Sequence, residues 1–476
     1  MTTTTPEKCF NEETVPGGTH MTIRKIQVVM SSLALTASLL LTIPSFAGSQ
    51  VRIVRLSDVE GGVQINRNTR NFERAFLNLP ITQGNQVRTL NDGRAVIEFE
   101  DGISLRMAPD TTSEFLQLSL DDSGKRVSNV RLQSGELYVE FKDPKNDQLT
   151  LSFGREAIVF TQPAHLRVVV ADENVTVAVF SGKVDVDAPS GTVEVSKNRT
   201  AIFNLAGGND ASTLAKDIEP EPYDAWDKQQ DRYQQRYSSD LVASSSPYSY
   251  GSADLSYYGT YFNTPGYGLM WQPYFAGAGW NPFMDGAWAF YPGVGYGWVS
   301  AYPWGWTPYH SGSWAFITGR GWAWQPGGTW MAVSAYPRVA NAPANFVAPK
   351  PPATAGPSVV VVSRNPSSIF AGKSTSKVVI RNDSAGLGIP RGEVKNLAQM
   401  SERVNTQGAV TARVHAAPVQ IETRQSGPQA LPGSASGGFP SSPYPTRGAN
   451  GGTNAGMSRP AGPAVHSAPA GRGSKN

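Results

Sequence analysis

The sequence predicts a mainly β protein with one short helix in its body, and three observations carry that reading. Apolar and polar residues alternate over short runs from about residue 51 to 205, as in Ile97 and Phe99 or Leu137, Val139 and Phe141. Turn residues such as Asp101-Gly102 break those runs, the pairing that a tight hairpin demands because both positions take positive φ. Farther on, the segment from Tyr257 to Trp330 holds 10 of the 11 tryptophans and repeats itself. The expected layout is a β-sandwich, roll or short β-solenoid over 51–205 and a linker over 206–256 with a helix at 222–238. A module of three aromatic β-hairpins over 257–332 follows, then a Pro/Gly/Ala-rich, basic, disordered tail over 338–476.

Residues 1–47 read as an over-extended start plus a signal peptide. Arg24 and Lys25 precede an uncharged, mostly apolar stretch from Ile26 to Phe46, and Ser45-Phe46-Ala47 offers small residues at the places a signal peptidase reads. Cleavage is expected between Ala47 and Gly48, with a retained N-terminal anchor as the alternative. Either way the chain is expected to be exported, to the periplasm or the cell surface. The single cysteine, Cys9, lies before this segment, so the expected mature chain has neither a disulfide framework nor a cysteine metal site.

In the first β region, Leu166, Val168 and Val170 are expected to pair with Val175, Val177 and Val179 across Ala171 to Asn174, and Val184 and Val186 follow Gly182. Gly84-Asn85-Gln86-Val87-Arg88-Thr89, Ala95 to Phe99 and Asp101 to Leu105 together resemble the FecR domain. So do Leu132-Gln133-Ser134-Gly135-Glu136-Leu137 and the run Val175 to Val186 with Ser181-Gly182-Lys183-Val184. The resemblance covers about a third of the chain and implies a periplasmic domain. Family members that regulate transcription carry a cytoplasmic domain on a sigma factor. Only about 25 residues precede the hydrophobic segment here, too few for that domain, so the resemblance implies a periplasmic interaction domain. Asp92, Glu98, Glu100 and Asp101 are candidates for a carboxylate pair or calcium loop, but alternate ligand positions along one loop are missing. A solvated strand face plus turn chemistry is the expectation for them.

The helix is expected from Pro222 to about Ser238, with Asp224 and Asp227 in its first turns, where the helix dipole favours negative charge. Tyr223, Trp226, Tyr233 and Tyr237 fall on one side and are expected to dock it on a neighbouring domain. In the aromatic module Gly259-Thr260-Tyr261, Gly286-Ala287-Trp288 and Gly312-Ser313-Trp314 recur at steps of 27 and 26 residues, and Trp271, Trp298 and Trp324 recur with them. Each copy reads as one hairpin. With the helix before it, the pattern resembles a Trp/Tyr/Gly-rich domain of unknown function found downstream of FecR domains. Tyr258-Gly259, Tyr267 to Pro273, Pro303-Trp304-Gly305-Trp306 and Pro308-Tyr309-His310 carry that likeness, and Tyr261 stands where the family has tryptophan. Trp271, Trp280, Trp288, Trp298, Trp304, Trp306, Trp314, Trp322 and Trp324 are either the module's core or a row of exposed rings that stack on sugars or flat partners. Three hairpins can hardly enclose every ring, so a mixture is expected.

The tail beyond about Arg338 is too poor in apolar residues to offset its ordering entropy, apart from patches at Val359 to Val362 and Lys377 to Ile380 that suit isolated or edge strands. From Met331 onward there are 15 Lys and Arg against 4 Asp and Glu, about +11, which leaves about −8 before it although the whole chain is +3. Such a tail suits weak contact with an anionic envelope surface, and export argues against nucleic acid. No nucleophile elbow or His-based metal motif occurs, and His310 sits where the other copies have Met284 and Phe275, a packing position. The sequence therefore points to no enzyme, no cofactor and no metal. It points to a bacterial cell-envelope binding or scaffold protein, its FecR-like domain an interaction module and its aromatic repeats contacting protein, glycan or peptidoglycan. The alternative is a periplasmic sensor in a FecR-type regulatory pathway.

Overall fold

The computed structural model describes residues 52–419 other than 70, 101, 143–144, 172–173, 205–211, 239–249, 293, 332–337, 354–357, 365, 367–368 and 370–375. The expected signal with its Ala47-Gly48 site, Asp101, and the chain beyond 419 lie outside the described residues.

Sixteen strands between Val54 and Ala215 hydrogen-bond into one continuous system that turns back on itself. Two long strands make the turn. The first half of Arg126–Phe141 pairs with Thr112–Leu120 and, in parallel, with Asp147–Phe153, while its second half pairs with Ser104–Met107 and Ala164–Val170. The first half of Asn174–Ala188 pairs with Ala164–Val170 and Arg199–Asn204, its second half with Glu156–Phe160 and Gly191–Ser196. The changeovers fall at Gly135 (φ +90°) and Gly182 (φ +76°). A Cβ would stand 2.5 Å from Thr111 Cα at the first and 2.2 Å from the Pro163 carbonyl oxygen at the second. Only glycine combines that φ with that closeness. The two Ser-Gly pairs of the FecR-like motifs are thus the corners where strands pass between layers.

The alternating residues meet between the layers as expected. Ile97, Leu105, Leu137, Val139, Leu166, Val168, Val175, Val177 and Val179 from one layer, with Val87, Phe115, Val130, Leu132, Leu149, Leu151, Ile158 and Val186 from the other, are fully buried in one core.

The aromatic segment forms the three expected hairpins, Gly259–Thr264 with Gly268–Pro273, Asp285–Tyr291 with Gly295–Ser300, and Ser313–Ile317 with Gly321–Gln325. They do not stack in one row. The first and third share a sheet through Trp271 and Trp324, and the second is extended by Val359–Ser363. A Cβ on Gly259 would lie 2.4 Å from the Trp271 ring, on Gly286 2.3 Å from the Trp298 ring and on Gly312 2.5 Å from Trp324 Nε1. The recurring glycine is therefore the seat of the recurring indole of its partner strand, which explains the 27- and 26-residue steps.

Four helices occur among the described residues: α1 (Asp224–Tyr237), α2 (Ser252–Tyr258), α3 (Thr307–His310) and α4 (Leu397–Gln407). The α1 bounds match the expectation closely, and α2 lies in what was expected to be linker.

The boundary of the folded body at about 338 is corrected. Val359–Ser363 is an edge strand, as anticipated, and Lys377–Arg381 pairs with Ala409–Arg413 on either side of α4. Ile380, Ile389, Val394, Leu397, Val404 and Val410 are buried in the same cluster as the tryptophans. Composition undercounted this stretch because its few apolar residues borrow an apolar surface built by the hairpins.

Candidate functional site

All nine tryptophans named as a binding surface are inside the protein. Trp271, Trp304, Trp306, Trp314 and Trp324 have no exposed surface, and Trp280, Trp288, Trp298 and Trp322 are at most 4% exposed. The expected mixture of core and exposed rings is corrected for this set, because α2 and the C-terminal stretch add the walls that three hairpins lack. Trp304 is the centre of the packing. Its ring lies 4.8 Å from Trp271, 5.0 Å from Tyr302 in a parallel stack, and 5.8 Å from Trp314. Burial requires partners for indole N–H groups, and backbone carbonyls supply several. Trp271 donates to Leu255 at 2.9 Å, Trp304 to Ala385 at 2.5 Å and Trp324 to Ser311 at 2.9 Å. The rings left half-buried are Trp330 and the smaller Tyr261, Phe262, Tyr267, Tyr274, Phe290, Tyr296 and Phe316.

His310 is 6% exposed, lies parallel to Trp330 at 5.1 Å, and its Nδ1 is 2.7 Å from the Met331 carbonyl. Its counterparts Met284 and Phe275 are also buried. The site is one of packing.

The polar groups concentrate elsewhere, on the outer face of the layer that α1 covers. Asp224, Asp227 and Asp231 lie along the side of α1 that meets Arg167, Arg106 and His165 of the sheet. The Tyr138 hydroxyl is 2.5 Å from Glu136 Oε1 and 2.8 Å from Asp224 Oδ1, and Arg94 sits over the Trp226 ring at 5.3 Å. The opposite side of α1 carries Tyr233 and Tyr237, which pack edge-on against Tyr257 of α2. The helix thus docks by acids on one side and rings on the other, whereas the aromatic side alone was anticipated. Three aspartates at spacings of three and four residues were the available signal.

Burial pushes the Glu136 carboxyl up to about 7, against the pull of the Tyr138 hydroxyl and Arg167. Desolvation disfavours a charged imidazole at His165, but hydrogen bonding to Asp227 and the charges of Asp227, Asp231 and Glu140 outweigh it and raise its pKa. Burial raises Glu140 as well, reinforced by Asp231.

A second polar group is wholly interior. Glu98 is 3% exposed and Asp254 has no exposed surface. Arg55 Nη1 lies 2.5 Å from Asp254 Oδ2 and 3.3 Å from Glu98 Oε2, and Arg391 pairs with both acids. Asn78 donates to the carbonyls of Ser300 (3.0 Å) and Tyr302 (2.7 Å), tying the first β region to the aromatic module beside this cluster. Glu100 is held by Arg52 at 2.6 and 2.9 Å. The solvated face expected for Glu98 and Glu100 is therefore corrected: both are buried in ion pairs. Asp92 is exposed and accepts from the Gly62 amide at 3.0 Å, in keeping with turn chemistry.

Residues 85–185 match the family described as FecR protein, and residues 252–351 match a family of unknown function (DUF6600). The motifs that carried both resemblances fall almost wholly inside these spans. A comparison with curated proteins finds no match. Among solved structures, two crystal structures of a candidate anti-sigma factor from Parabacteroides distasonis, at 1.65 and 2.50 Å resolution, are similar at 17% identity and a TM-score of 0.25. The likeness covers 30% of this chain and 63% of that one. No helix among the described residues is long and apolar enough to cross a membrane.

Proposed function

We propose that this chain is a non-catalytic component of a FecR-type regulatory pathway, exported from the cytoplasm and acting by binding a protein partner. The observation that carries the reading is the FecR match over 85–185, whose Ser-Gly motifs are the corner positions Gly135 and Gly182. The arrangement of ionisable groups supports binding over chemistry. Glu98, Asp254, Asp227 and Asp224 are each spent on an arginine, and His310 on a backbone carbonyl. An envelope scaffold that stacks its tryptophans on glycan has less support, because those rings are interior.

Transcript profiling of a strain lacking the protein, with and without a plasmid-borne copy, tests the proposal. The expected result is a defined set of transcripts that changes on deletion and returns with the copy. An unchanged transcriptome, together with peptidoglycan retention of the purified chain, would favour the scaffold.

A further inference from the structure

One polar cluster gathers three ligand-type atoms within 4.8 Å of one another. His165 and Glu140 are directly opposite on paired strands, and Asp231 reaches them from α1. His165 Nδ1 lies 3.5 Å from Glu140 Oε2 and 3.7 Å from Asp231 Oδ2, and one ligand atom of each residue is within 4.8 Å of the other two. Ligands about 2.1 Å from a tetrahedral ion stand about 3.4 Å apart; the two histidine separations already match, and the two carboxylates, within 4.8 Å of each other, would draw together on the ion. The remaining atom of each group has a charged neighbour. His165 Nε2 is 2.9 Å from Asp227 Oδ2, Asp231 Oδ1 pairs with Arg106, and Glu140 Oε1 faces Lys142 at 3.9 Å. A carboxylate on the far nitrogen of a ligating histidine is the arrangement that fixes the ring and its tautomer in metal sites.

We propose that His165 Nδ1, Glu140 Oε2 and Asp231 Oδ2 bind one divalent transition-metal ion of the zinc class, with water completing the coordination. A proton on Nδ1 is the competing occupant. It would serve only one carboxylate, across 3.5 or 3.7 Å, where a charge-assisted hydrogen bond measures about 2.7–2.9 Å. An ion satisfies all three atoms at once. One imidazole with two carboxylates suits zinc better than calcium or magnesium, which take oxygen ligands. Arg106 and Lys142 against Asp227, Asp231 and Glu140 leave a local charge of −1 with a neutral imidazole, so a cation is welcome. The three side chains are 13–18% exposed, which leaves an entry path. Bound there, the ion pins α1 to the sheet. The inference is independent of the regulatory reading.

The test is calorimetric titration of the EDTA-treated full chain with zinc chloride, repeated with Co2+ to read coordination by visible absorption. The variants are Glu140→Gln and His165→Gln, with Glu194→Gln on the exposed Lys183 pair as control. The expected result is one zinc per chain, a cobalt spectrum of low coordination number, and affinity at least about tenfold weaker in both site variants but unchanged in the control. Calcium should give no heat. Absence of zinc binding in the wild type, or undiminished affinity in Glu140→Gln, would overturn the proposal. Should His165→Gln not fold, Glu140→Gln decides alone, since its amide keeps the shape of a side chain that is 18% exposed.

Discussion

Arg391 Nε lies 2.9 Å from Asp254 Oδ1, across 137 residues of sequence. The same guanidinium pairs with Glu98 and donates to Ser57 Oγ at 3.1 Å, while Arg55 holds the far sides of both acids. Two arginines and two carboxylates thus balance inside the protein, and they come from the first β region, α2 and the C-terminal stretch. Buried pairs of this kind contribute little against an apolar replacement of the whole set, but breaking one partner strands a charge.

Arg391→Ala should therefore lower stability by about 3–5 kcal/mol, read as a fall in the urea midpoint. Arg391→Lys should fall between, because an ammonium keeps the charge but cannot reach Glu98, Asp254 and Ser57 together. A loss below about 1 kcal/mol for Arg391→Ala, the range of exposed pairs, would mean that the cluster is not sealed from water.

The glycine seats make a separate prediction. Gly286→Ala would place a methyl 2.3 Å from the Trp298 ring and 2.7 Å from the Val299 carbonyl, and overpacking of that kind costs about 1–3 kcal/mol. Gly295→Ala in the turn of the same hairpin meets nothing within 4 Å and carries only the strain of φ +104°, about 1 kcal/mol. Near-ultraviolet circular dichroism should change for Gly286→Ala and not for Gly295→Ala. Equal behaviour of the two would remove the seat as the basis of the repeat.

These seats also indicate how far the sequence could be read. Period-two alternation placed the strands of the first region and the repeat placed all three hairpins, because each is a local pattern. The corners at Gly135 and Gly182 were marked by sequence but not understood, since a glycine whose Cβ would fall 2.2–2.5 Å from a neighbour looks like any turn glycine. The indoles could not be assigned to core or surface from the hairpins alone, because their lids, Leu255 of α2 and Ala385, lie outside the repeat. Helix α4 was missed because only Leu397 and Val404 of its eleven residues are buried. Asn396, whose side chain caps the Gln399 amide at 3.1 Å, was its readable signal. The His165 cluster was invisible, as its members come from three elements.

A rise in pH should act on stability in opposite senses in the acid and the near-neutral range. Burial alone would raise the Glu98 carboxyl, but Arg391 and then Arg55 outweigh it and bring it from 4.5 to about 2. A depressed folded-state value means stability present above 4.5 and lost as pH falls toward 2. Glu136, raised by burial from 4.5 to about 7, does the reverse: the folded state holds the extra proton in that window, so stability declines as pH rises through it. Urea midpoints against pH should rise from acid to about 4.5 and sag toward 7. Glu136→Gln should make the sag shallower, leaving the part that the raised Glu140 and His165 contribute, a gain on the order of 1–2 kcal/mol at neutral pH after allowance for partial solvent screening. A variant as pH-sensitive as the parent between 4.5 and 7 would refute the assignment.

Removal of the chain after Ala340 tests whether the C-terminal stretch belongs to the body. The truncation takes Val359–Ser363 from the second hairpin, the Ala385 carbonyl from the Trp304 indole, and Arg391 from Glu98 and Asp254. It also uncovers the faces against which Ile380, Leu397 and Val404 are buried. Each loss alone is survivable, but they fall on one aromatic core, and effects on shared neighbours do not simply add. The truncated protein should lose more stability than Arg391→Ala does and should bind a hydrophobic dye that the parent excludes, because rings packed around Trp304 become accessible. Had composition been a sufficient guide, this stretch would be dispensable. A truncated chain with the parental urea midpoint and no dye binding would restore that view and detach the C-terminal segment from the core.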